Sequence, residues 1–156
     1  MKERNKATTA VYLILKRGDA ILLTRRQGSG YYDGWYSVPA GHLEAGELPT
    51  DCLVREAQEE LGIKLRKEDL KLAHVMYRTK HDETGDRVDY FFSCQKWQGD
   101  PRIQEPEKCD DIQWFRRGTL PDNMMHHVRN ALDDIARGMV FSELDIDHIV
   151  RNPNRK

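Results

Sequence analysis

Residues 41–63 read GHLEAGELPTDCLVREAQEELGI, and no other stretch restricts this chain as much. Pro49 suits a first helical turn and Gly62 a helix end, so the sequence predicts a helix between them. Along it Leu53, Val54, Ala57 and Leu61 fall on one face, and Glu56, Glu59 and Glu60 on the opposite one. A helix patterned in this way packs on a core with one side and presents carboxylates with the other. Glutamates three and four residues apart repel one another unless something positive sits among them, and hard divalent cations prefer such oxygen ligands. The stretch therefore reads as a Mg²⁺ site built on a loop and a helix. The bland alternative is a solvated acidic face with ion pairs.

Composition narrows the class. With 156 residues, 38% hydrophobic, the chain suits a single domain over its whole length. A chain of this size buries about two-thirds of the surface it exposes when unfolded. The 25 basic and 26 acidic residues leave a net charge of −1, so neither bulk nucleic-acid binding nor attraction to anionic membranes is expected. A local basic cleft remains compatible with that sum. Cys52, Cys94 and Cys109 contain no C-x-x-C pair, which argues against a zinc ribbon or a dithiol site and points to a reducing compartment. MKERNKATTA at the start lacks the apolar segment of a secretion signal, and no apolar run is long enough to span a bilayer. The expectation is a cytoplasmic protein, monomeric or homodimeric.

Residues 9–16 and 20–25 are β-rich runs around Arg17-Gly18-Asp19, which predicts a hairpin. A loop of glycines and aromatics follows at 27–36, then a short strand at Ser37-Val38-Pro39. Two further strands are predicted at 71–79 and 87–96, joined through residues 82–86. In the second, Val88, Tyr90, Phe92 and Cys94 alternate with Arg87, Asp89, Ser93 and Gln95, the period of a half-buried strand. A strand at 111–115, an amphipathic helix from Pro121 to about Arg137 and a poorly ordered tail at about 150–156 complete the reading. Strands mixed with two helices predict an α/β domain with the helices flanking the sheet.

Written generally, residues 41–63 are G-x5-E-x7-R-E-U-x-E-E-x-G-U, with U apolar, matched at Gly41, Glu47, Arg55, Glu56, Glu59, Glu60 and Gly62. This is the Nudix box. At a background of roughly 7% per residue type, seven fixed positions match a given window by chance on the order of 10⁻⁸, so the signal is specific. Thr24-Arg25-Arg26 at the end of the hairpin, the Gly34–Gly41 run and the last helix are also similar to MutT-type members, so the resemblance covers most of the chain. It implies the Nudix α/β/α sandwich around a mixed sheet. It also implies hydrolysis of a phosphoric anhydride in a nucleoside diphosphate linked to another group, with Mg²⁺ as cofactor and Mn²⁺ as a substitute.

Carried onto this chain, the resemblance makes Glu56, Glu59, Glu60 and the Gly41 carbonyl metal ligands, with Glu56 favoured as the general base. Arg55 lies beside these carboxylates and can pair with Glu47, which makes it an orienting residue. A further acidic ligand follows a Trp-x-Gly-acid-Pro run in MutT-like proteins; here that is Glu105, with Glu107 as a rival. Arg26 and Arg78, at strand ends, are candidate phosphate or base contacts, against the alternative of surface charge. His42 is a candidate phosphate contact or an exposed loop histidine. Trp35, with Tyr31, Tyr32 and Tyr36, offers a stacking surface, although some of these rings must simply pack. Asn123, His126 and His127 stand where such proteins place a base-reading residue.

Markers outside the box separate subfamilies. The proline of ADP-ribose hydrolases and the tyrosine of dinucleoside polyphosphate hydrolases are missing where Arg78-Thr79-Lys80 stands, and the run typical of NADH hydrolases is absent. Only Leu22-Leu23-Thr24-x-Arg26 is similar to the coenzyme A members. By elimination, the favoured expectation is a nucleoside triphosphate pyrophosphohydrolase releasing a monophosphate and pyrophosphate, with oxidised purines among its candidate substrates. The alternatives are a hydrolase of nucleotide sugars or ADP-ribose, and a non-catalytic nucleotide sensor. The retained box carboxylates argue against a sensor.

Overall fold

The computed structural model describes residues 2–80 and 83–145. Its spine is β1 (Ala7–Arg17), a strand buried on both faces. Ala10, Tyr12 and Ile14 point to one side of the sheet and Val11, Leu13 and Leu15 to the other, as the two-residue period of a strand requires. Each set meets its own helix. Val11, Leu13 and Leu15 pack with Cys52, Leu53, Ala57 and Leu61 of α1 (Pro49–Leu61). Ala10, Tyr12 and Ile14 pack with Met124, Met125 and, on α2 (His126–Ala136), Val128, Ala131 and Leu132. The result is the expected α/β/α sandwich.

β1 turns at Gly18-Asp19 into β2 (Ala20–Arg26), antiparallel to it. Farther back along the same edge, β4 (Ala40–His42) pairs with Ala10–Tyr12, which fixes Gly41 opposite Val11. On the other edge β1 runs parallel to β6 (Asp86–Cys94), and β6 runs antiparallel to β5 (Lys71–Thr79). β8 (Phe141–Asp145) closes that side, parallel to β5. β3 (Tyr36–Ser37) and β7 (Cys109–Arg116) both pair with β2. Parallel and antiparallel pairings together make the sheet mixed.

Four details depart from the sequence expectations. Asp89 lies fully buried on β6, because β6 sits between β1 and β5 with both faces covered, so the half-buried reading of that strand fails. Cys52, not Val54, completes the fully buried stripe of α1. α2 begins at His126 instead of Pro121, since the backbone of Asn123 and Met125 is already hydrogen-bonded to Tyr36. β8 was not anticipated at all. The expected tail at 150–156 and Asp82 of the β5–β6 connection lie outside the described residues.

Phe91 is fully buried and stacks on Tyr12, with ring centroids 4.5 Å apart. Phe91→Ala is expected to cost about 3–5 kcal/mol in urea unfolding, the transfer term plus an unfilled cavity. A loss below about 1 kcal/mol would show that this core collapses around the gap.

Candidate active site

Helix α1 ends where expected, with Gly62 in the left-handed region at φ 69° and its N–H bonded to the Gln58 carbonyl. Its outer side carries Arg55, which organises the loop before the helix. Nε and Nη2 donate to the two oxygens of Glu47, each at 2.9 Å, and Nη1 donates to Glu56 at 2.9 Å and Glu59 at 3.3 Å. Nη2 also reaches the His42 carbonyl at 3.4 Å. These bonds and one from the Glu44 N–H pull the Glu47 carboxyl down to about 2. The Arg55–Glu47 pair expected from the sequence is therefore a bidentate clamp that ties the 42–48 loop to the helix.

Gly41 lies against Glu56. A Cβ placed on Gly41 would stand 2.4 Å from Glu56 Oε1, so only glycine lets this backbone approach the carboxylate. Glu60 turns inward and accepts a hydrogen bond from the Ala40 N–H at 3.3 Å. Burial, then repulsion from Glu56 and Glu105, pushes its carboxyl up to about 8. Burial also raises Glu56, joined by repulsion from Glu59 and Glu105 and opposed by Arg55. Glu59 is the outlying member, with about half of its side chain exposed.

Glu105 arrives from far along the chain for a backbone reason. The last carbonyls of a helix lack intrahelical partners. Those of Glu60 and Leu61 accept the N–H groups of Gln104 and Arg102, at 3.2 and 3.1 Å. The loop is thereby pinned to the end of α1, and Glu105 shares a cleft with Glu60. Lys108 donates to Glu105 at 3.0 Å. Glu107 does not line that cleft; its carbonyl instead packs against Gly28.

Two clefts meet at β4, sharing Arg26, Ser37 and Ala40. The smaller, about 360 Å³, holds Glu60, Glu105, Arg26 and Lys108. The larger, about 510 Å³, holds Gly41, His42, Tyr31, Arg26, Arg78, Lys80 and Arg87. Arg78 and Arg87 are directly opposed across β5 and β6, an arrangement of like charges that costs stability unless each finds a partner. Arg78 is held by buried Asp89 through bonds of 2.5 and 3.2 Å, while Arg87 donates to the carbonyls of Thr84 and Gly85. Arg78 is thus a cleft-wall cation clamped from behind. Partial burial, reinforced by Arg87, holds the His42 imidazole below its usual pKa.

Trp35 differs from its expected placement. It lines neither cleft; it packs edge-on with Tyr32 and at a tilt on His126, with centroids 5.8 and 5.5 Å away. The ring that faces the larger cleft is Tyr31. Tyr36 is buried against Phe115, with its hydroxyl donating to Asp111. Lys80, Arg87 and Lys108 were not singled out from the sequence. The first two, Lys80 just beyond β5 and Arg87 on β6, are brought to the cleft only by strand pairing, which a single lysine or arginine does not signal.

His127 lies under the larger cleft, hydrogen-bonded to the Tyr12 hydroxyl at 3.1 Å. Burial, reinforced by Arg78 and His126, pushes the imidazole down to about 3. An unfolded histidine titrates near 6.5, so between these values the unfolded chain binds a proton that the folded chain refuses. The stability contribution is complete above pH 6.5 and falls as pH drops towards 3, by at most about 5 kcal/mol. Urea unfolding at pH 7, 5.5 and 4.5 should show His127→Gln losing less stability with acid than the wild type. Parallel declines would assign the acid sensitivity elsewhere.

Among the described residues no three acidic, histidine or cysteine side chains form a ready-made ion cage. The donor set nevertheless fits a hard divalent cation. Glu56 and Glu60 repel each other and Glu105 while partly buried, and a carbonyl-bearing glycine backbone is held against Glu56. Arg55 partly offsets Glu56, Arg26 partly offsets Glu60, and Lys108 pairs with Glu105.

The NUDIX domain, as a family profile, matches residues 4–135. The NAD-capped RNA hydrolase NudC of Pseudomonas entomophila is 29% identical over 122 residues, covering 74% of this chain and 39% of that protein. Its counterpart in Pseudomonas fluorescens is 30% identical over 122 residues, with the same coverage of 74% and 39%. This chain spans about two-fifths of the length of these curated relatives. Among solved structures, a MutT NUDIX hydrolase from Burkholderia pseudomallei superposes with a TM-score of 0.75 at 26% identity, over 83% of this chain and 98% of that one. The chain belongs to the Nudix family. No helix among the described residues is long and apolar enough to cross a membrane.

Proposed function

We propose that this chain is a divalent-metal-dependent hydrolase of nucleoside diphosphates linked to a second group, acting as a single domain. One observation carries the reading: the cluster of Gly41, Glu56, Glu60 and Glu105 stands where two clefts meet at β4. A diphosphate bridging the two clefts would place its anhydride at these carboxylates and one substituent on either side.

In this reading Glu56, Glu59, Glu60, Glu105 and the Gly41 carbonyl hold the ions, with Mg²⁺ the natural occupant and Mn²⁺ a substitute. When bound, such ions neutralise charge on the diphosphate oxygens and acidify water. Glu56, against Gly41, takes the proton from the attacking water. Arg26, shared by both clefts, binds the phosphates, Arg78 extends that positive wall along the larger cleft, and His42 stands beside it as a hydrogen-bonding phosphate contact.

The second reading is hydrolysis of a nucleoside triphosphate to a monophosphate and pyrophosphate. It is favoured by Arg26 and Lys108 in the smaller cleft, which has room and charge for a terminal phosphate.

The test is chromatographic identification of products with Mg²⁺ and a mixed panel. That panel holds normal and oxidised nucleoside triphosphates, ADP-ribose, nucleotide sugars, dinucleoside polyphosphates and an RNA with a dinucleotide cap. The capped RNA is included because the Pseudomonas relatives are named for that linkage. Cleavage of the diphosphate-linked compounds supports the first reading, and monophosphate plus pyrophosphate from one triphosphate class supports the second. No turnover with bound nucleotide would leave a sensor. Chelation should abolish activity, and added Mg²⁺ should restore it.

A further inference from the structure

We propose that Tyr31 is the platform on which the nucleobase stacks, so that the larger cleft accepts a base by its face and with little regard to its identity. This rests on the reading that the cleft holds a nucleotide.

Tyr31 is 52% exposed and lines the same cleft as Arg26, His42 and Arg87. An exposed aromatic ring beside several cations matches a base joined to phosphate, because the ring supplies a π-face and the cations neutralise the anion. The Arg26 guanidinium carbon lies 5.9 Å from the Tyr31 ring centroid, which sets stacking surface and phosphate contact within one nucleotide's reach.

The loop is built to hold that ring. Its carbonyl accepts Arg26 Nε at 3.1 Å and the Ser29 hydroxyl at 2.9 Å. Asp33 in turn accepts the Ser29 hydroxyl at 2.7 Å and the Gly30 N–H at 2.8 Å. Tyr32 sits at φ 52°, a left-handed conformation that is strained for a bulky residue. That strain buys a ladder of rings: Tyr32 meets Tyr31 edge-on at 4.7 Å and Trp35 at 5.8 Å, and Trp35 rests on His126 at 5.5 Å. Tyr31 is therefore presented already ordered, with little conformational freedom left to lose on binding.

Of the three residues suited to reading a base edge, two are already engaged, and the third, exposed His126, packs on Trp35 and lines neither cleft. The Asn123 amide donates to the Gly34 carbonyl at 2.8 Å, and His127 is buried with Tyr12. Recognition by the face of the ring is what this wall offers, and every base has one.

The experiment is calorimetric titration, in Mg²⁺, of the wild type, Tyr31→Ala and Tyr31→Phe. The probes are AMP, GMP, CMP and UMP, which have no anhydride to cleave, and ribose 5-phosphate, which has no base. Tyr31→Ala is expected to weaken all four nucleotides by about 10- to 100-fold and to leave ribose 5-phosphate unchanged. Tyr31→Phe should keep wild-type affinity. Melting temperatures should agree within about 2 °C, since the ring is exposed. Unchanged nucleotide affinity in Tyr31→Ala, loss for one base alone, equal loss of ribose 5-phosphate, or a Tyr31→Phe as weak as Tyr31→Ala would each overturn the proposal. Anhydride hydrolysis is scored separately on the same preparations, so failure of the catalytic reading leaves the binding result interpretable.

Discussion

Glu59→Gln is expected to lower turnover by about a thousand-fold, equivalent to roughly 4 kcal/mol of barrier, while the protein stays folded. The two halves of that expectation come from different features. Glu59 belongs to the carboxylate set proposed to hold the ions, and glutamine keeps its shape but removes the charge. Among the described residues it accepts a single 3.3 Å bond from Arg55, and its side chain is about half exposed, so folding has little to lose. Steady-state kinetics on any substrate that the panel reveals, alongside thermal melting, decides it. Undiminished turnover would remove Glu59 from the ion site.

The second large effect falls on the clamp. Arg55→Ala should reduce kcat by about a hundred-fold, because the 42–48 loop and Glu56 lose the group that fixes them, and small misplacements at a reacting centre have effects of this size. Arg55→Lys should recover only part of the loss, since an ammonium cannot make the bidentate fork to Glu47. Glu47→Ala should resemble Arg55→Ala in direction, and the double variant should be little worse than Arg55→Ala alone. Additive losses in that cycle would mean that the two residues act independently. A raised Mg²⁺ requirement in Arg55→Ala would separate loop positioning from general damage.

Much of this was legible in the chain. The bounds of α1, the grouping of its glutamates near Arg55 and the hairpin at Gly18-Asp19 all follow from residue spacing within one element. Spacing of that kind is local, so the sequence alone settles it. The Nudix box is likewise complete in the chain itself, and the family profile matches residues 4–135 around it.

What the chain could not show lies between elements. Glu105 rather than Glu107 reaches the carboxylates because Arg102 and Gln104 cap the end of α1. Asp89 is buried because β6 is central, and Arg78 is clamped because it lies near Asp89 across the β5–β6 pair. Tyr31, not Trp35, faces the cleft, in a loop whose backbone is left-handed at Gly28, Gly30, Tyr32 and Gly34. β8 pairs in parallel with β5 only after the chain has passed through β6, β7 and α2, and its five residues, with only Phe141 and Leu144 apolar, carry no strand pattern of their own. Residue order fixes which side chains share a helix face or a strand face; register, strand order and backbone capping between distant segments decide which of those faces meet.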